Sequence, residues 1–252
     1  MGAFGTERGG RLNHVVPVPS FRLILADAFA RVRTILSIIR LLPAAVSGLL
    51  CAAAPAGAHP HVFADGHVVL DVDAHHELAA VTNIWTFDPA FSAYAVTGLD
   101  TNGNGRLESS ELRPLARRSM DSLKDYHFFT WAMLGGKDVD FAGPRDYSYR
   151  YVGGRLILHF TMPLKSPLAL GEGLKVEVFD PEYFVAYTFP KRGAVEIAGD
   201  PASCTPVYTP PRELDDAIMA ELAAIPADQH DLPPALRDAA LGLAHIFAVA
   251  CP

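Results

Sequence analysis

Twelve residues carry the clearest chemistry in the chain: Asp100-Thr101-Asn102-Gly103-Asn104-Gly105-Arg106-Leu107-Glu108-Ser109-Ser110-Glu111. Calcium is a hard cation that takes oxygen ligands, and this run offers them at the spacing of an EF-hand loop. Asp100, Asn102 and Asn104 supply side-chain oxygens at loop positions 1, 3 and 5. Arg106 supplies a main-chain carbonyl, Glu108 a direct or water-mediated contact, and Glu111 a bidentate carboxylate. Gly105 stands where the backbone must turn with a positive φ, and Leu107 is the apolar residue that such loops turn inward. The loop is only weakly acidic and Arg106 adds a positive charge. Its affinity is therefore expected at about 10⁻⁴–10⁻³ M, the range of extracellular calcium modules. No second hand is legible. Asp71-Val72-Asp73 and Asp138-Val139-Asp140 begin like loops, but Thr82 and Tyr149 occupy their twelfth positions.

A second set of candidate ligands depends on processing. Arg31, Arg33 and Arg40 precede an apolar run from Leu41 to about Ala54, and Pro55-Ala56-Gly57-Ala58 follows as a small-residue cleavage signal. The run is short for a membrane span and is broken by Pro43 and Gly48. We read residues 1–58 as a signal peptide with a long leader, removed on export, so that no stable membrane span remains. Cleavage after Ala58 makes His59-Pro60-His61-Val62-Phe63 the mature N-terminus. An α-amine beside the His59 ring, with the His61 ring two residues on, is a nitrogen set for nickel, cobalt, zinc or copper. Asp65 and His67 lie on the same face of the strand expected there. The competing reading is a polar solvent face that carries histidines. His127 and His159 are the remaining candidates for such a metal.

The leader holds six of the 21 Lys/Arg and two of the 28 Asp/Glu, which leaves 15 basic against 26 acidic residues. So acidic a body argues against nucleic acid and anionic membranes, and suits cation handling. Processing also removes Cys51 and leaves Cys204 and Cys251. In an exported chain these two are most simply a disulfide, with two free metal-binding thiols as the alternative.

The elements that must position these residues follow from periodicity. Val62, Ala64, Val68, Leu70 and Val72 alternate with His61, Asp65, His67 and Asp71, which predicts a half-buried strand with a bulge expected at Gly66. Leu78–Phe87 pairs with it as a hairpin through a turn at Asp73–Glu77. Asp88-Pro89 starts a helix running to Leu99, and Leu112, Leu115, Ala116, Met120 and Leu123 mark an exiting helix to about Lys124. Further strands are expected at 128–134, 147–152, 155–162, 174–178 and 183–189. Beyond Pro210, residues 213–225 and 234–247 read as Ala/Leu-rich helices. The fold class is therefore α+β: a mainly antiparallel sheet domain over 59–209, an EF-hand-like helix–loop–helix insert at 89–124, and a helical tail over 210–252 tied back by the disulfide. Nucleophile elbows, zinc-protease helices and phosphate loops are missing from the sequence.

His59-Pro60-His61-Val62-Phe63 after a signal peptide, Trp85-x-Phe87-Asp88, the Asp100–Glu111 loop, Tyr126-x-Phe128-Phe129-Thr130, Asp180-Pro181-x-Tyr183 and the late Cys251 together resemble one family. It is a group of uncharacterised bacterial periplasmic proteins built on a domain of unknown function. Its members are labelled as periplasmic or substrate-binding components of ABC-type transport systems, and their genes often adjoin nickel/cobalt transporters. The resemblance implies a periplasmic accessory to divalent-metal transport, and the leading expectation is a non-enzymatic binder of divalent metal ions that serves an inner-membrane metal transporter. Two other classes compete with it. One is a copper enzyme using an N-terminal histidine, with His127 or His159 completing the site because His61 is too close along the chain. The other is a calcium-stabilised docking module.

Overall fold

A computed structural model describes residues 60–171, 173–201, 203–226 and 232–252, all within one compact unit. The expected leader, with the candidate ligand His59, lies outside the described residues.

Two sheets form the body. Strand β1 (Val62–Val72) is central to the first, which runs β5 (Arg145–Val152), β6 (Arg155–Ala169), β2 (Glu77–Phe87), β1, β8 (Val185–Thr188). β9 (Val195–Gly199) also lies along β1, beyond β8. The second sheet runs β10 (Thr205–Thr209), β11 (His245–Ala250), β7 (Leu174–Val178), β3 (Thr130–Leu134), β4 (Lys137–Val139), and all its pairings are antiparallel. In the first sheet only β8 and β9 run parallel to their neighbour. The α-helices are α1 (Pro89–Ala95), α2 (Ser109–Leu123), α3 (Asp216–Ala223) and α4 (Pro234–Leu241) among the described residues. The class is α+β with mostly antiparallel sheets, as the periodicity indicates.

Alternation along β1 is the reason it sits where it does. Val62, Ala64, Val68, Leu70 and Val72 are buried, while Phe63 and Asp65 are exposed and His67 and Asp71 half-buried. The hairpin turn is held by Asp73, whose carboxylate accepts from the His75 and Glu77 amides at 2.8 and 3.0 Å. Gly66 does not bulge, in contrast to the expectation. It pairs in register with Trp85, and the shift in the β1–β2 ladder falls instead at Asp71/Val72. Small residues at Ala64 and Gly66 let the rings of Trp85 and Tyr187 meet across β1, with centroids 5.0 Å apart.

The C-terminal region departs from an all-helical tail. The helix beginning at Pro234 ends at Leu241, and His245–Ala250 is a strand inside the second sheet. Leu222, Ile225, Leu232, Leu236 and Ala240 bury one another as a small cluster of their own, against Tyr183. Cys204 and Cys251 are joined as a disulfide at the ends of β10 and β11.

Insertion of β11 buries an imidazole. His245 Nε2 donates to the Tyr187 carbonyl at 3.0 Å and Nδ1 accepts from the Tyr208 hydroxyl at 2.8 Å, so the neutral ring is fully satisfied. Burial pushes it down from 6.5 to about 4. Its contribution to stability is complete above pH 6.5. As pH falls from 6.5 towards 4 the unfolded chain takes up a proton that the native ring refuses, and stability is lost, by roughly 3 kcal/mol over the whole window. We expect urea midpoints to drop more between pH 7 and 5 in the wild type than in His245→Gln. Parallel pH profiles for the two proteins would show that this ring does not titrate as described. The comparison with a variant is needed because the buried Asp180 acts in the opposite direction, burial having raised its carboxyl to about 6.

Candidate functional site

The Asp100–Glu111 loop joins α1 to α2, and each helix is fixed to the first sheet. Asp88 caps α1 by accepting from the Phe91 amide at 2.9 Å. Buried Leu112, Leu115, Ala116, Met120 and Leu123 form the inner face of α2, and Ser119 hydrogen-bonds the Tyr149 hydroxyl of β5 at 3.0 Å. α1 is shorter than expected, giving way to turns after Ala95, whereas α2 covers the whole apolar pattern from Leu112 to Leu123.

Within the loop, main-chain amides converge on side-chain oxygens. The Asn104 and Gly105 amides donate to the two Asp100 oxygens at 3.2 and 2.8 Å. Asn102 Oδ1 also accepts from the Asn104 amide at 3.0 Å, and Asn104 Oδ1 from the Arg106 amide at 2.8 Å. Gly105 has φ of 76°, as its loop position requires. Glu111 reaches back from α2, one oxygen accepting from the Thr101 amide at 2.8 Å and hydroxyl at 2.9 Å, the other from the Glu108 amide at 3.1 Å. Glu108 accepts from the side-chain amides of Asn102 and Asn104 at 3.2 and 2.6 Å. Hydrogen bonding at Glu108 first, and at Thr101 second, pulls the Glu111 carboxyl down to about 2. It is therefore anionic across the physiological range. Leu107 is half-buried beneath this arrangement. Thr101, which sequence reasoning left without a role, shares with Glu108 the positioning of Glu111.

The donor set is oxygen only, drawn from two amide side chains as well as three carboxylates, and it fits a hard cation such as calcium. No group of three or more His, Cys, Asp or Glu residues is arranged to hold a metal ion among the described residues. The loop differs from such groups in needing Asn102, Asn104 and the Arg106 carbonyl.

The candidate transition-metal residues are dispersed rather than gathered. The His61 ring packs on Phe184, with centroids 4.9 Å apart. Asp65 is ion-paired at 2.7 Å with Arg155, whose guanidinium also donates to the Phe87 and Thr86 carbonyls at 2.7 and 2.8 Å. His67 donates through Nδ1 to the Gly193 carbonyl at 2.9 Å, and its Nε2 stands 3.5 Å from Glu196. His159 donates to the Asp146 carbonyl at 3.1 Å. His127 is exposed and tilted against Trp131. It opens a left-handed stretch, with φ of 52°, 54° and 50° at His127, Phe128 and Phe129. Bulky residues adopt this conformation at a cost of roughly 1–2 kcal/mol each. Burial of both phenylalanines and a hydrogen bond from the Phe179 amide to the Phe129 carbonyl at 3.2 Å hold it in place.

Asp180 organises the second of the aromatic motifs. Its buried carboxylate accepts from the Glu182, Phe184 and Val185 amides at 2.8, 3.0 and 2.9 Å. The Phe184 carbonyl accepts in turn from the His61 and Val62 amides at 2.9 and 3.2 Å. The motif therefore holds the start of β1.

These separated motifs belong to one known pattern, which matches residues 44–251 of the chain and is described as a protein of unknown function, DUF1007. The chain belongs to the DUF1007 family. Among its relatives is an uncharacterized 15.5 kDa protein in the trpE 3′ region of Spirochaeta aurantia, 33% identical over 98 residues, which is 39% of this chain and 70% of that protein. An uncharacterized protein of Haemophilus influenzae is 23% identical over 175 residues, covering 68% of this chain and 82% of its own length. For this DUF1007 chain, as for these relatives, the family description assigns no activity. No helix among the described residues is long and apolar enough to cross a membrane.

Proposed function

We propose that the protein is an exported, periplasmic divalent-cation-binding accessory whose calcium site is the Asp100–Glu111 loop. The observation that carries this reading is the gathering of the Asp100, Asn102, Asn104, Glu108 and Glu111 oxygens in one hydrogen-bonded loop fixed at both ends by helices docked on the sheet. The ion neutralises clustered carboxylates and joins α1 to α2. The cation chemistry is binding rather than turnover. The partner on this reading is an inner-membrane transporter for nickel, cobalt, zinc or copper, with the His59 amine and the rings of His59 and His61 as the transferable-metal end. The resemblance to periplasmic transport components and the acidic body support that wider role.

Calcium that binds only the native state stabilises it by RT ln(1 + [Ca]/Kd). At ten times Kd this amounts to about 1.4 kcal/mol, which shifts Tm by a few degrees for a domain of this size. We expect that rise in the wild type and none in Glu111→Gln, which loses the bidentate anionic ligand. Calorimetric titration supplies the affinity, and the same titration with Ni(II) or Cu(II) reads the N-terminal end. A wild-type melting curve that calcium leaves unmoved reduces the loop to a turn.

A further inference from the structure

Helix α1 is seven residues long, too short to persist by itself in water, so its ends decide whether it forms. At its start Asp88 does more than cap. Its Oδ1 takes the Phe91 amide, its Oδ2 accepts from the Phe63 amide at 3.1 Å, and its own amide donates to the Phe63 carbonyl at 2.8 Å. One turn on, the buried Ser92 hydroxyl donates to the Phe87 carbonyl at 3.3 Å and accepts from the Leu156 amide at 2.9 Å. Beyond α1 the hydrogen bonds continue, from the Val96 amide to Ser92, Thr97 to Tyr94 and Leu99 to Val96. The next residue is Asp100, the first of the loop. A single short segment, Asp88–Asp100, therefore touches the start of β1 at one end and the cation site at the other.

We propose that calcium in the Asp100–Glu111 loop tightens the Asp88 clamp, so that the order of His61–Phe63 at the start of β1 depends on calcium. This rests on the calcium reading of the loop and adds the regulation of that site to it. Fixing Asp100 on the ion stiffens the far end of α1, and cooperativity within so short a helix carries the restraint to its cap. Fraying of β1 at Phe63 must then break a cap that is braced from both sides. The Phe184 carbonyl, which holds the His61 and Val62 amides, restrains the same residues from the opposite flank. Asp88 is thus the link that calcium can tighten. Binding linkage makes the effect reciprocal: a clamp strengthened by calcium strengthens calcium binding by the same factor.

Amide hydrogen exchange of the purified protein, resolved at Phe63 and referenced to Phe160 in the core of β6, reads the coupling directly. Saturating calcium should slow exchange at Phe63 by about five-fold or more beyond any change at Phe160, the lower end of ordinary coupling factors. In Asp88→Ala that local slowing should vanish while calorimetry still records calcium uptake, with several-fold weaker affinity. Calcium uptake by the wild type with no selective change at Phe63 overturns the clamp and leaves the loop reading intact. An undiminished Phe63 response in Asp88→Ala overturns it as well. Failure of the wild type to take up calcium at all is a different result, seen in the calorimetry alone, and it removes the loop reading together with the clamp.

Discussion

Replacing Cys204 and Cys251 together by serine is expected to cost the folded protein about 4 kcal/mol, less any native strain relieved. The size follows from the 47-residue separation of the two cysteines, because the crosslink removes the loop-closure entropy of that length from the unfolded chain. The loss falls on a definite part of the structure. β10 is the edge of the second sheet and pairs only with β11 there, and the disulfide closes that pair just beyond the Thr205–Ala250 register position. Without the bond, β10 is an edge strand of five mostly exposed residues, with Val207 in solvent. Guanidinium unfolding at pH 7 should show a lower midpoint and a steeper slope for the double variant, whose unfolded chain exposes more surface, and reductant should move the wild type to the same curve. Coincident curves for the oxidised wild type and the variant would mean that the bond restrains nothing.

Gly66→Ala is the second large effect, at about 1–3 kcal/mol, the usual range for overpacking a filled core. A methyl group at Gly66 would overlap the Phe189 ring. That ring has no room to retreat, since it lies against His245, Phe247 and Tyr208, with centroids 4.7, 4.9 and 6.1 Å away. The destabilisation should shrink when the added volume is compensated, so Gly66→Ala in a Phe189→Leu background should cost less than in the wild type. Strictly additive losses in the two variants would show that the ring and the glycine do not compete for the same space.

These two cases differ in how much a sequence reader can see. The pair of cysteines that remains beyond residue 58 suggests the disulfide, and only the tertiary structure says which strands it joins. Gly66 reads locally as a bulge, because glycine interrupting an alternating strand has that meaning most often. Its actual role depends on Phe189, more than a hundred residues away, and nothing near Gly66 announces it.

What the sequence by itself determined is everything whose cause is local. The period-two alternation of 62–72, the turn that Asp73 closes, the Asp88 cap and the residue order of Asp100–Glu111 each arise within a dozen residues. Backbone geometry and side-chain alternation decide them before any distant contact forms. The tertiary structure alone decided what depends on a remote partner. His245–Ala250 follows an Ala/Leu-rich helix, and Gly242 with the β-formers Ile246, Phe247 and Val249 marks a break there that so short an apolar run does not decide by itself. It is a strand because β7 and β10 flank it with unpaired ladders. β9, which local pattern does not announce, exists as a strand by lying parallel to β1, and β8, inside the strand expected at 183–189, owes to tertiary structure only its parallel pairing with β1. Asp65 and His67 share a strand face with the expected N-terminal site, yet Arg155, Gly193 and Glu196 occupy them from other elements. A face can be read from spacing, but the partner that meets it cannot, because which distant groups arrive there is settled only when the sheets close.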